Sequence, residues 1–323
     1  ESQQVERLHS LMQEIYGAPI PGRISGHTLQ ETARMLGKSV GAVSGDIKLA
    51  KIMEAFPQLG LDKIQNKSTA LKIAQRYGTT VVNQQIAKGV ENSTQDNPLL
   101  QSYIIGDFFD NELPSGIFSL IECDPPYGID LPSIKRGDSS GALSQYTEID
   151  EVDYAAFLTR LTKECFRLGS DNSWLILWHG PTWYSSCVDA LTNAGYAVLP
   201  IPAIWKKGTS SGQSNIPDMI LGHAYEQFLY ARKGSPRLHM RGRANMFDFA
   251  PVPPDHKIHM TERPIELIKE ILNTFAWPKT AVLSPFLGSG NTLVAAQSLG
   301  MPAVGFDLNE RFRDAFVARL MKG

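Results

Sequence analysis

The sequence predicts an α/β fold: a Rossmann-like, doubly wound sheet preceded by an all-α N-terminal domain. Three observations predict it. Apolar runs at 117–123, 281–284 and 303–306 have the length and composition of buried strands. The first two end abruptly in turn chemistry, Asp124-Pro125-Pro126-Tyr127 and Pro285-Phe286-Leu287-Gly288-Ser289-Gly290, and the second turn opens a helix-like stretch. Residues before 91, by contrast, read as helices.

Taken in order, residues 3–16 place Val5, Leu8, Leu11, Met12 and Ile15 at helical spacing and stop near Gly17 and Pro19. Thr28, with Glu31 three positions on, is a capping box that opens a short helix turned by Gly37. Ser39 caps a second helix, Val40 to Ala55, with Val43, Ile47, Leu49 and Ala50 on its buried side. Short helix, glycine turn and second helix form a helix-turn-helix layout. In that layout Lys38, Ser39, Ser44, Lys48 and Lys51 meet phosphates and base edges. A purely structural helical bundle is the alternative. Further helices are expected at 67–77 and 79–90, and polar residues 92–98 form a linker.

The run Ile117 to Cys123 leads into Asp124-Pro125-Pro126-Tyr127. Two prolines fix φ on successive residues and remove two backbone donors. The result is a rigid loop showing a carboxylate, a fixed carbonyl and an aromatic face. A carboxylate and a carbonyl both accept from an exocyclic amine while the ring stacks on its base. An aromatic amine is a poor nucleophile, so two acceptors that aim its lone pair accelerate attack by positioning. A base inside a duplex must first be extruded. A proline-rich turn that merely closes a strand is the bland reading.

The second turn, 285–290, has glycines that permit close approach of a ligand to the backbone. Asp307 ends the strand-like run 303–306, placed as an acid that binds two ribose hydroxyls. No Gly-Lys-Ser/Thr follows, which argues against a phosphate-cradling loop.

Together these motifs resemble the S-adenosylmethionine-dependent amino-methyltransferases of DNA, over roughly residues 99–323. The order, catalytic loop first and cofactor loop last, is similar to the circularly permuted β group of that family. Strand-like runs Tyr103 to Asp107, Ser173 to Trp178, Ile204 to Gly208 and Tyr225 to Gly234 match its landmarks, as does His259-Met260-Thr261-Glu262-Arg263-Pro264. The resemblance implies S-adenosylmethionine as cofactor and double-stranded DNA as partner. It implies Asp124, Pro125, Pro126 and Tyr127 as the catalytic loop. It also implies Asp107, Phe286, Gly288, Ser289, Gly290, Thr292 and Asp307 around the cofactor, with Thr261, Arg263 and Pro264 near its amino-acid end. Asp rather than Ser as the first loop residue leans toward N6 of adenine over N4 of cytosine. RNA is a further rival substrate. Two positions depart from the pattern. Ser284 stands where Asp is usual, and so brings no charge to the cofactor's ammonium; Asn291-Thr292 replaces Thr-Thr. The N-terminal helices resemble the helix-turn-helix of ParB/KorB-type partition proteins, down to Val43-Ser44 and Leu49-Ala50. A DNA-binding regulator with a degenerate catalytic domain is the rival from another class.

Composition agrees with a catalytic protein of two domains, 1–91 and 99–323, in 323 residues that are 42% hydrophobic. No apolar stretch reaches the roughly 18–20 residues of a membrane span. The polar start shows no signal peptide, and without an initiator Met the chain reads as trimmed or processed. Cys123, Cys165 and Cys187 lack metal-type spacing and suit a reducing cytoplasm, and no metal is expected. Cys123 as a nucleophile is disfavoured, because amine methylation needs no covalent step. Net charge is only −2, yet Arg232, Lys233, Arg237, Arg241 and Arg243 cluster without an acid among them, inside a target-recognition element expected at 232–258. A second polar loop, 133–144, carries Lys135 and Arg136 for substrate contact. A homodimer is an open expectation to which no residue is assigned.

Overall fold

The computed structural model describes residues 1–19, 26–91, 97–127, 149–208, 218–253, 256–258 and 261–321. These divide into two compact units, residues 1–81 and 82–321.

The first unit is helical: α1 (Ser2–Tyr16), α2 (Leu29–Leu36), α3 (Val40–Ala55) and the start of α4 (Lys67–Glu91). Its boundaries follow from capping. Thr28 Oγ1 accepts from the Glu31 backbone N–H at 3.3 Å while Glu31 Oε2 accepts from the Thr28 N–H at 2.6 Å. Gly37 turns the chain at φ 63°, and Ser39 Oγ accepts from the Ala42 N–H at 3.1 Å. Val43, Leu49 and Ala50 are buried, as the pattern predicts, and Ile47 is half-buried; Asp46 is buried among them. The two helices expected at 67–77 and 79–90 are one continuous helix. Gly78 costs only about 1 kcal/mol in a helix interior, too little by itself to end this one.

Among the described residues the second unit is built on a nine-stranded sheet. Its strands are β1 (Tyr103–Ile105), β2 (Phe118–Cys123), β3 (Gly169–His179), β4 (Ala197–Val198), β5 (Ala203–Lys206), β6 (Tyr225–Lys233), β7 (Met246–Asp248), β8 (Val282–Ser284) and β9 (Ala303–Asp307). The order is β1-β9-β8-β2-β3-β6-β5-β7, with β4 also on β6. Pro200 and Pro202 lack the N–H groups a ladder needs, and they separate β4 from β5. β1, β9, β8, β2 and β3 are parallel, and β6 is antiparallel to β3.

Alternation along β2 sends residues to both faces. Ile121 and Cys123 pack with α5 and α6, the helices Glu151–Leu168 and Tyr184–Ala194. Leu120 packs with α7 and α8, the helices Ile265–Phe275 and Asn291–Ser298. A short helix at Pro98–Gln101 and α9 (Glu310–Met321) complete the unit. From β2 the chain winds through α5 to β3 on one side; from β8 it winds through α8 to β9 on the other. The strand order therefore reverses between β2 and β8, which opens a crevice at their carboxyl ends. Among the described residues no helix is long and apolar enough to cross a membrane.

Candidate active site

Because β1, β9, β8 and β2 are parallel, Asp107, Asp307, the turn 285–290 and the loop 124–127 all leave the sheet at one edge. Asp124 and Phe286 each lie three positions beyond the paired Ile121 and Leu283, on strands about 4.8 Å apart. The two motifs thus face each other at the crevice between β2 and β8.

The catalytic-type loop is fixed by a buried cation. Arg263 Nη1 donates to Asp124 Oδ2, and Nη2 donates to Tyr127 Oη at 2.6 Å and to Glu226 Oε2 at 3.0 Å. Tyr127 Oη donates on to Asp124 Oδ1 at 3.1 Å. The guanidinium also stacks 3.8 Å from the centroid of Trp178. Burial pushes Arg263 down to about 9 and the Glu122 carboxylate opposes that shift, so Arg263 remains a cation at neutral pH. Arg263, expected beside a cofactor's amino-acid end, therefore places its guanidinium on the loop. Each Asp124 oxygen keeps a lone pair beyond these bonds, enough to accept from an amine. Pro125 is buried and Pro126 half-buried.

The glycine turn is held by its neighbours. Gly288 N–H donates to Asp307 Oδ2 at 2.7 Å, and Tyr103 Oη donates to the Gly288 carbonyl at 2.8 Å. Gly290 has φ 76°, and a Cβ there would lie 2.4 Å from Phe316 Cδ2, so only glycine fits. Asp307 Oδ1 accepts from the Asn309 N–H at 2.8 Å. Burial still raises the Asp307 carboxyl to about 6, against both backbone bonds. Asp107 is exposed and caps the turn at Phe109, whose N–H lies 2.9 Å from its Oδ1. The half-buried Phe286 ring lies about 6 Å from those of Phe108 and Phe157 (6.2 and 6.1 Å). Ser289 is buried, Thr261 is half-buried, and Pro264 stands at the N-cap of α7.

Sequence reasoning missed several residues here. Asn291 Nδ2 donates to Glu262 Oε1 at 2.9 Å and to the Arg263 carbonyl at 2.8 Å, which ties α8 to the segment carrying Arg263. Glu122 is 2% exposed, yet it accepts from Trp178 Nε1 at 2.9 Å, Thr292 Oγ1 at 2.9 Å and Ser284 Oγ at 3.3 Å. Its signal was available: one acid in an otherwise apolar strand demands a partner. Burial pushes the Cys123 thiol well up, which leaves it unfit as a nucleophile.

The residues read as DNA contacts are dispersed. Lys38 Nζ lies 2.6 Å from Glu1 Oε1 and 3.1 Å from Asp46 Oδ2, and Ser39 is spent on its cap. Ser44 is half-buried and Lys48 exposed. Arg237 and Arg241 are exposed, whereas Arg243 pairs with Glu270 at 3.0 Å and covers the Phe247 ring. The run 232–243 follows the end of β6 that pairs with Ser173, while His179 pairs with Gln227. It therefore lies at the sheet edge opposite Asp124, about 20 Å of strand away. Lys135, Arg136 and the loop 133–144 lie outside the described residues, as do His259, Met260 and most of the linker.

The sequence profile of the N6/N4 methyltransferase family, described as DNA methylase, matches residues 118–318. The chain belongs to the DNA methylase family. Within or beside that family, YubD of Escherichia coli K12 is 26% identical over 207 residues, covering 64% of this chain and 83% of YubD. The crystal structure of the M1.HpyAVI–SAM complex superposes with a TM-score of 0.50 at 19% identity, covering 68% of this chain and 98% of that one. PvuII DNA methyltransferase, described as cytosine-N4-specific, superposes with a TM-score of 0.54 at 15% identity, covering 67% and 85%. Both structures share the α/β methyltransferase fold with this chain.

Proposed function

We propose that the protein transfers the methyl group of S-adenosylmethionine to the N6 amine of adenine in DNA, after the base has been flipped from the duplex. The observation that carries this reading is the juxtaposition of the loop 124–127 with the turn 285–290 across the β2–β8 crevice. S-adenosylmethionine bound on that turn supplies the electrophilic methyl group. Asp107, Phe286, Gly288, Ser289, Gly290 and Asp307 hold it, with Asp307 accepting from ribose hydroxyls. Asp124 and the Pro125 carbonyl accept the two amine hydrogens and aim the nitrogen lone pair at the methyl carbon. Arg263 locks the carboxylate through three linked bonds, so little reorganisation remains at the moment of transfer. Tyr127 stacks on the base, which returns roughly 1–3 kcal/mol against the few kcal/mol of unstacking. The methylated ammonium is strongly acidic, so its proton leaves without a strong base.

Residues 1–91 are read as the DNA-binding part and 99–323 as the catalytic part. α3 carries Ser44 and Lys48 toward DNA, while Lys38 and Ser39 support the helix that presents them. Arg237 and Arg241 serve a flank of the duplex away from the target base.

Mass spectrometry of nucleosides from DNA incubated with protein and cofactor tests the reading. 6-Methyladenine is expected. 4-Methylcytosine without 6-methyladenine would overturn the base assignment. Asp124→Ala is expected to lose at least about 100-fold in turnover while retaining DNA in a mobility-shift assay. Absence of turnover in the unaltered protein would favour a DNA-binding regulator instead.

A further inference from the structure

Glu122 sits two residues before Asp124, in the centre of the sheet. Its carboxylate is satisfied entirely by neutral donors, one indole N–H and two hydroxyls. Among the described residues no lysine or arginine forms an ion pair with it; the guanidinium it influences, Arg263, is bonded to Asp124 and Glu226. A buried carboxylate with no bonded cation is costly, and a use for its charge is one reason to retain it.

The two hydroxyls show what that use is. Ser284 ends β8 and Thr292 lies in the first turn of α8, so they bracket the glycine turn. Each hydroxyl has a single proton, and each gives it to Glu122 Oε2. Their lone pairs are then left directed away from Glu122, and the carboxylate behind them makes those oxygens more negative. Such a pair, at the two ends of the turn read as the cofactor turn, suits a primary ammonium. We propose that Glu122 is a cofactor-positioning residue: its charge, relayed through Ser284 and Thr292, receives the ammonium of S-adenosylmethionine and fastens the catalytic strand to the cofactor turn. This rests on the reading of 285–290 as the cofactor turn. It also accounts for the uncharged Ser284, since the negative charge stands one strand over, on β2, instead of on β8.

Calorimetric titration separates this from a merely structural clamp. S-adenosylhomocysteine carries the ammonium, and 5′-methylthioadenosine lacks it. Glu122→Gln is isosteric and neutral. It is expected to weaken S-adenosylhomocysteine about 10- to 100-fold, the range of a charge-assisted hydrogen bond, and methylthioadenosine less than about threefold. Glu122→Asp keeps the charge and is expected to preserve the ratio of the two affinities even if both fall. The double variant Glu122→Gln/Ser284→Asp moves the charge to β8 and is expected to recover S-adenosylhomocysteine binding to within about threefold. Equal weakening of both ligands in Glu122→Gln, or no recovery in the double variant, would overturn the assignment. An unaltered protein that binds neither ligand would instead overturn the cofactor reading itself.

Discussion

Asp46 in the helical unit and Glu122 in the catalytic unit are both carboxylates removed from water, with 0% and 2% exposure. They are held in opposite ways. Asp46 faces two lysines, Lys67 at 2.5 Å and Lys38 at 3.1 Å, and accepts from Ser2 Oγ at 2.6 Å. Its charge is neutralised within its own unit and tethers α1 and α4 to α3. Among the described residues Glu122 bonds only to an indole N–H and hydroxyls. The difference separates a charge that stabilises a fold from one that is held in reserve for a ligand. It also sorts the consequences of mutation: changes at Asp46 should move stability alone, and changes at the crevice should move cofactor affinity as well.

The largest test compares two glycines with similar backbone angles, Gly37 at φ 63° and Gly290 at φ 76°. At Gly37 an added Cβ meets nothing within 4 Å among the described residues, so Gly37→Ala is expected to cost only the left-handed strain, about 1 kcal/mol. At Gly290 the same atom would collide with the Phe316 ring, so Gly290→Ala is expected to cost about 2–4 kcal/mol and to weaken S-adenosylhomocysteine binding. Urea denaturation and calorimetry read the two effects. Equal costs at the two sites would break the distinction.

Asp46→Ala comes next. Lys38 and Lys67 are both partly exposed and can turn to water, so the loss is expected near 1–3 kcal/mol instead of the larger cost of an orphaned buried charge. Burial opposes the charge on Asp46, but the bonds from Lys67, Ser2 and Lys38 hold its carboxyl below the ordinary value. The folded form thus binds a proton less readily than the unfolded one. Its contribution is present above the ordinary carboxyl range and is lost as pH falls through the lowered value. Acid titration followed by circular dichroism should show Asp46→Ala losing part of that acid sensitivity.

Much of the architecture was legible because local chemistry and tertiary structure agree. The Thr28–Glu31 box, Gly37 and Ser39 state the limits of α2 and α3, and the runs before Asp124 and Pro285 state two adjacent strands. What stayed hidden depends on long-range pairing. β7, three residues long, lies in a run that reads as a basic loop. Arg263 reaches Asp124 across 139 positions, and Thr292 reaches Glu122 across 170. No periodicity reports such contacts. The placement of the basic cluster was hidden for the same reason, since only the antiparallel register of β6 on β3 carries 232–243 to the far edge.

Asp307 gives a smaller, pH-dependent test. Its carboxyl is raised to about 6, so the folded protein binds the proton more tightly than the unfolded chain. Its contribution to the stability of the ligand-free protein is therefore fully present at low pH and is lost as pH rises through about 6. Ligand binding runs the other way, because ribose hydroxyls need the ionised acceptor. Affinity for S-adenosylhomocysteine is expected to fall by up to about tenfold per pH unit below 6. Asp307→Asn should flatten that dependence; a slope that survives the substitution would assign it to another group.

Thr28→Ala should have the smallest effect and makes the cleanest control. The side chain accepts one backbone N–H at the start of α2, on an exposed surface, and touches no ligand-binding residue. Its loss leaves the Glu31 N–H to water and costs about 1 kcal/mol. Glu31 loses one of the two Thr28 bonds that hold its carboxyl low, the side-chain one, and keeps the backbone one, so half of the box persists. The urea midpoint of the helical unit should shift by that amount while S-adenosylhomocysteine affinity stays within error. A change in cofactor affinity from this cap would mean that the helical unit feeds the crevice energetically, and the division between fold-holding and ligand-serving charge would fail.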